Sequence, residues 1–293
     1  MKLTSLVNNY YSSYDYRNLR EETKVQYKYF MGVMLNTQVE GKALCQYNYI
    51  SLPTKVAKNA YNQWCEKGIH MANHIMSVTR ILFNHGLREE LCTLNPFANI
   101  RRRTVERRKT VWGRGDVQKL LDTAYGDFST RNIGLIAHMA YEWCQRLGDM
   151  RMLTWDNIDF ETQTVHIEQS KRHADVHLPI EDDLFEMLKQ QEHDFGFQQY
   201  VAPRPNPIKG EYRPYSLHKL PLHGRSLMDA AGLSKELRLS DLRRTGTTEM
   251  VEAGVGMGQI MSVTGHANPS SVKPYMKNTR KSAELALTAR KKA

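Results

Sequence analysis

Apolar residues recur at the 3.6-residue spacing of a helix along most of this chain and switch to strict alternation in only two places. Thr164–Glu168 (TVHIE) and Asp175–Pro179 (DVHLP) alternate, and the polar connection Ser170–Ala174 joins them, so a β-hairpin is expected there. Elsewhere the pattern is helical. Leu19–Leu35 places Val25, Tyr27, Phe30, Met31 and Met34 on one face, and Thr54–Trp64 and Met71–Phe83 repeat the arrangement. The first hundred residues therefore read as an all-α bundle. Further on, Asp116 is expected to cap a helix running to Tyr125, followed by a strongly apolar helix over Asn132–Cys144. Helices are also expected over Glu181–His193, Ser216–Ala231 and Asp241–Glu252. The fold class expected is mostly α with a small β component. There is no internal repeat and no low-complexity segment.

A length of 293 residues suggests about two domains. A boundary is visible at 101–109, RRRTVERRK, where six of nine side chains are basic; Asn95-Pro96 precedes the run and Gly113 and Gly115 follow it. The expected organisation is a helical domain over 1–100, a basic linker over 101–112, and a mixed α/β domain over 113–293. Lys and Arg number 41 against 31 Asp and Glu, a net charge of +10, which favours a polyanionic partner. The linker residues Arg101, Arg102, Arg103, Arg107, Arg108 and Lys109 are the first candidates to meet it. No stretch approaches the roughly 18 apolar residues of a membrane span. The MKLTSLVNNYY start has no apolar signal core, so a cytoplasmic protein without a membrane partner is expected. Cys45, Cys65, Cys92 and Cys144 stand far apart, with no CxxC pair, and neither a zinc site nor a disulfide framework is expected.

Four scattered segments carry chemistry. Cys144-Gln145-Arg146-Leu147-Gly148-Asp149 follows an apolar helix, Lys171 lies on the hairpin turn, Ser240-Asp241-Leu242-Arg243-Arg244-Thr245 opens a helix, and Gly265-His266 precedes Tyr275 by nine residues. In this order and spacing they resemble the catalytic domain of the tyrosine recombinases, the phage integrase family. The bundle with Thr23 and Tyr27 is similar to that family's core-binding domain.

The resemblance implies a role for each residue. Tyr275 would attack a DNA phosphodiester and form a 3′-phosphotyrosyl intermediate. Arg146 and Arg243 would hold the nonbridging oxygens, for which the guanidinium fork is suited. His266 would add a third donor, Lys171 would protonate the leaving 5′-oxygen, and Asp149 would buttress Arg146 or serve a local structural role. Because the nucleophile is a side-chain oxygen, no metal or other cofactor is called for. The resemblance further implies double-stranded DNA as partner, four protomers on two DNA sites, and room for an accessory DNA-bending factor. The tail from Lys277 to Ala293 could dock on a neighbour.

One position departs from the family: Ser240 stands where a His is usual. A serine cannot act as a base near neutral pH; its hydroxyl is expected either to donate to the phosphate or to cap the helix that carries Arg243. Two further readings follow: a DNA-binding protein of this fold that no longer cleaves, and an enzyme like the type IB topoisomerases, which relaxes DNA without exchanging strands. Gly254, Gly256 and Gly258 are expected to form a helix end and turn, not a phosphate loop.

Overall fold

The computed structural model describes residues 1–106, 108–171, 173–276, 284, 287, 288, 290 and 291. The chain divides into two compact units, Met1–Arg108 and Lys109–Ala293. The segment expected as a linker is shared between them, since Ile100 belongs to the first core and Trp112 to the second. Within the first unit the Arg103 N–H donates to the Tyr61 hydroxyl at 2.7 Å, and Asn73 donates to the Arg103 carbonyl at 3.0 Å. Within the second, the Trp112 N–H donates to Thr245 Oγ1 at 2.9 Å and the indole N–H to the Arg238 carbonyl at 3.1 Å.

The first unit consists of α1 (Leu3–Ser12), α2 (Tyr14–Arg17), α3 (Glu21–Asn36), a short hairpin of β1 (Gln38–Val39) and β2 (Lys42–Ala43), α4 (Thr54–Lys67) and α5 (Ile69–Arg88). Leu3, Leu6, Val7 and Tyr10 of α1 repeat at helical spacing and pack with Met31 and Met34 of α3 and Ile75, Met76, Leu82 and Phe83 of α5. Two expectations are corrected here. The unit is not helical throughout, because Glu40 and Gly41 both take positive φ (51° and 80°) and turn the chain into the β1–β2 hairpin. The buried face of α3 is also narrower than its apolar pattern, since Val25 is 65% exposed.

The second unit holds α6 (Arg114–Tyr125), α7 (Phe128–Glu142), α8 (Leu147–Met150), β3 (Ile158–Asp159), β4 (Thr164–Glu168), β5 (Asp175–Pro179), α9 (Asp182–Phe195), α10 (Leu220–Ala230), α11 (Leu242–Glu252) and α12 (Met257–Thr264). Helix α7 is buried on every side from Arg131 to Ala140 and touches α6, α8, α9, α10 and α11, which makes it the centre of the unit. It starts earlier than Asn132 because the Asp127 carboxylate accepts the Ser129 N–H at 2.8 Å. Asp116 does not cap α6. Gly113 holds the cap position, and Asp116 lies in the first turn, where its charge meets the helix dipole favourably.

The three strands form an antiparallel sheet in the order β3-β4-β5, with Val165 opposite Leu178 and Ile167 opposite Val176. These four side chains are buried, as the alternation requires. On the outer face His166 and His177 stack at 4.2 Å. Gly254 (φ 79°) closes α11, but Gly258 lies inside α12, so the glycine cluster contains the start of a helix as well as a turn. Among the described residues no helix is long and apolar enough to cross a membrane.

Candidate active site

Two close packings bring distant arginines together. After α7 the chain turns at Cys144, whose φ of 51° is unusual for a residue with a side chain, and the Gln145 N–H bonds back to the Ala140 carbonyl at 3.1 Å. This turn delivers Arg146 to the start of α8. Arg243 lies in the first turn of α11, and Gly246 follows one turn later. A Cβ on Gly246 would come within 2.6 Å of both Cys144 Sγ and the Tyr141 carbonyl, so glycine is what lets α11 approach the end of α7.

Two buried amides lie between the guanidinium groups. Arg146 Nη1 donates to Gln169 Oε1 at 3.0 Å, Gln169 Nε2 donates to Gln145 Oε1 at 2.7 Å, and Arg243 Nη1 reaches the same Gln145 oxygen at 3.4 Å. Gln145 and Gln169 also donate to the Val263 and Thr264 carbonyls at 2.7 and 2.8 Å, which fastens both to the end of α12. Gly265 completes the fit. Its φ of 66° ends α12 in the left-handed region, and a Cβ there would fall 2.4 Å from Gln169 Nε2.

The same turn directs His266 inward. The Thr264 hydroxyl donates to the Ile260 carbonyl at 2.7 Å and so accepts from His266 Nδ1–H, also at 2.7 Å. His266 Nε2 is then the acceptor facing Arg243 Nη2 at 3.3 Å. In this tautomer His266 is a base at Nε2, and the third donor expected from it requires that it first take up a proton. Its ring lies 6.2 Å from that of half-buried Tyr275, and the Arg244 guanidinium lies 5.5 Å from the Tyr275 ring centroid.

Electrostatics favour an anion. Burial, reinforced by the charge of Arg146, pushes Arg243 down to about 10, and burial pushes the Cys144 thiol up to about 12. The buried Asp149 carboxylate is 3.5 Å from Arg146 Nη1, yet accepts from the Ser170 hydroxyl at 2.5 Å. Two cations thus share a partly buried pocket with one carboxylate between them and the hairpin.

The remaining expected residues lie farther out. Lys171 is exposed on the turn between β4 and β5. Ser240 is exposed in the 3-10 turn Leu239–Asp241, and the cap expected of it is not made: Asp241 occupies the N-cap of α11 and no side chain caps that helix. Arg101, Arg102, Arg103 and Lys109 are exposed and Arg108 is half-buried. Arg107 lies outside the described residues, as does most of the tail from Lys277 to Ala293. Sequence reasoning missed Gln145, Gln169, Ser170, Thr264 and Arg244. A signal for Gln169 was present: Val165 and Ile167 point inward, so position 169 points inward too, and a polar residue there needs a partner. Among the described residues no group of three or more His, Cys, Asp or Glu side chains could hold a metal ion.

Comparison with known proteins gives a consistent result. Residues 114–282 match the family model described as the phage integrase family. A curated tyrosine recombinase of Pseudothermotoga lettingae is 22% identical over 274 residues, covering 89% of this chain and 88% of the relative. A lambda integrase dimer bound to a COC′ core site superposes with a TM-score of 0.78 at 19% identity, covering 96% and 97% of the two chains. The Tn1549 transposon integrase in complex with circular intermediate DNA gives 0.79 at 15% identity over 99% of each. A lambda integrase tetramer bound to a Holliday junction gives 0.76 at 18% identity, with 95% of this chain and 78% of the other covered.

Proposed function

The chain belongs to the phage integrase family, and on that footing we propose that it is a site-specific DNA recombinase that cleaves and rejoins duplex DNA through a phosphotyrosyl intermediate. The observation that carries this reading is the gathering of Arg146, Arg243 and His266 in one pocket beside the ring of Tyr275. The arginines present converging donors for a phosphate whose charge grows as a fifth oxygen approaches phosphorus. The Tyr275 oxygen gives up its proton to His266 Nε2 and forms the new bond to phosphorus, the bond to the 5′-oxygen breaks, and Lys171 on the exposed turn protonates that oxygen as it leaves as a 5′-hydroxyl. His266, with Nε2 unprotonated, takes the place of the base that Ser240 cannot provide; once protonated it becomes a donor to the phosphate. A phenolate, with a reference pKa of about 10, leaves more readily than an alkoxide, so the step reverses on the incoming strand.

Exposed Arg101, Arg102, Arg103 and Lys109 contact phosphates independently of sequence. The lambda integrase neighbour is a tetramer on a Holliday junction, which supports a tetramer of this chain on two DNA sites. The tail and an accessory DNA-bending factor are further parts of that assembly. The protein works on DNA in the cytoplasm.

The test is capture on a library of nicked duplexes. Wild type is expected to yield a protease-sensitive, denaturation-resistant adduct whose DNA strands share one sequence, and Tyr275→Phe to bind without forming it. Tight binding by wild type without adduct, while Ser240→His forms one, would mark the protein as a binder that no longer cleaves.

A further inference from the structure

We infer that Gln145 and Gln169 form a neutral brace that sets the two arginines and the hairpin base as one unit. This inference rests on the recombinase reading. Both amides are wholly buried, and their orientation is fixed, because each nitrogen donates twice and each oxygen accepts from an arginine. Gln145 Nε2 serves the Trp143 and Val263 carbonyls at 2.8 and 2.7 Å, while Gln169 Nε2 serves Gln145 Oε1 and the Thr264 carbonyl at 2.7 and 2.8 Å. Rotating either amide by half a turn would set NH₂ against a guanidinium and oxygen against carbonyls. The brace therefore joins three segments that are remote in sequence: the α7–α8 turn, the base of the hairpin two residues before Lys171, and the end of α12.

Its neutrality matters as much as its geometry. A carboxylate is the commoner partner for a buried arginine and would hold the fork more strongly. It would also cancel charge beside the phosphate. Amides orient Arg146 and Arg243 without adding a second carboxylate to Asp149, which already lies 3.5 Å from Arg146. The fit at Gly265, where any side chain would strike Gln169 Nε2, shows how closely the α12 end is built around the brace.

Gln145 and Gln169 are thus positioning residues acting through the arginines. The test is single-turnover cleavage of the DNA strand captured by wild type, compared with the same strand carrying a methylphosphonate at the scissile position. The neutral linkage has one nonbridging charge fewer to neutralise. Gln169→Glu and Gln145→Met are expected to lose about a hundredfold or more on the phosphodiester, with DNA affinity near wild type and a melting temperature lowered by the buried hydrogen bonds each forfeits, and to lose less than about tenfold on the methylphosphonate. An equal loss on both substrates in both variants would mean that the amides serve stability alone, and no loss on either would mean that they do nothing for the arginines; each overturns the brace. Wild type that cleaves neither substrate would overturn the recombinase reading, and the brace with it.

Discussion

The Asp149 carboxylate lies 2.5 Å from the Ser170 hydroxyl and 3.5 Å from the Arg146 guanidinium. Of the two roles expected for Asp149, buttressing the arginine or a local structural one, the closer bond to the hairpin favours the second. A hydrogen bond to a charged acceptor contributes about 1.5–3 kcal/mol, so this one ties α8 to the segment that leads into Lys171.

Ser170→Ala should consequently lower the melting temperature by several degrees and slow cleavage about tenfold, while DNA affinity stays unchanged. Calorimetry and single-turnover kinetics on the captured strand would check this. A wild-type rate in the alanine variant would mean that the tie has no part in setting the hairpin.

The two arginines put two positive charges in one partly buried pocket, which suits an anion. Sulfate should raise the melting temperature of wild type more than that of Arg146→Gln, both measured against chloride at equal ionic strength to separate site binding from the general stabilisation by this salt. An equal sulfate increment in both proteins would show that the pocket holds no anion.

Much of this was legible in the residues themselves. The alternation over 164–168 and 175–179 placed both strands to the residue, because one buried face fixes strand register. The spacing from Gly265-His266 to Tyr275 pointed to the site. What stayed hidden depends on contacts between segments far apart in sequence. The turn at Glu40-Gly41, the exposure of Val25 and the helix within the glycine cluster are settled by packing and backbone angles that periodicity does not encode. The amide brace links residues 24 positions apart to each other and to a carbonyl 95 positions farther on, and no local pattern announces it. Sequence alone offers Ser240 as a cap because it cannot tell which residue of Ser240-Asp241 ends the 3-10 turn; the structure gives that place to Asp241.

Since Ser240 is exposed and caps nothing, Ser240→Ala should leave the melting temperature unchanged and cleavage within about threefold, below the factor of 10² typical for loss of a proton-transfer group. A loss beyond tenfold in single-turnover cleavage would put the hydroxyl on the phosphate.

His138 supplies one part of the pH dependence, and burial lowers His85 in the same direction. Burial pushes it down to about 4, and its Nδ1 accepts from the Tyr125 hydroxyl at 2.8 Å. The unfolded chain takes up this proton near the ordinary value of about 6.5, whereas the folded protein refuses it until about 4. Stability present above pH 6.5 is therefore lost as pH falls toward 4, by about 2 kcal/mol at pH 5. Glu142, raised by burial, works in the opposite direction, so the comparison is with a variant. His138→Gln keeps an acceptor for Tyr125 and should flatten the decline in urea unfolding between pH 7 and pH 5; an equally steep decline would mean that other groups carry it.

The most direct measurement is the identity of the amino acid joined to DNA. Wild-type adduct from the nicked library is digested with protease and nuclease, and the peptide that retains a nucleotide is sequenced by mass spectrometry. The phosphodiester remnant is expected on Tyr275, within the peptide that follows Gly265-His266, and is expected to disappear in Tyr275→Phe. A nucleotide on any other residue, or an undiminished adduct in the Phe variant, would contradict the assignment of Tyr275 as nucleophile.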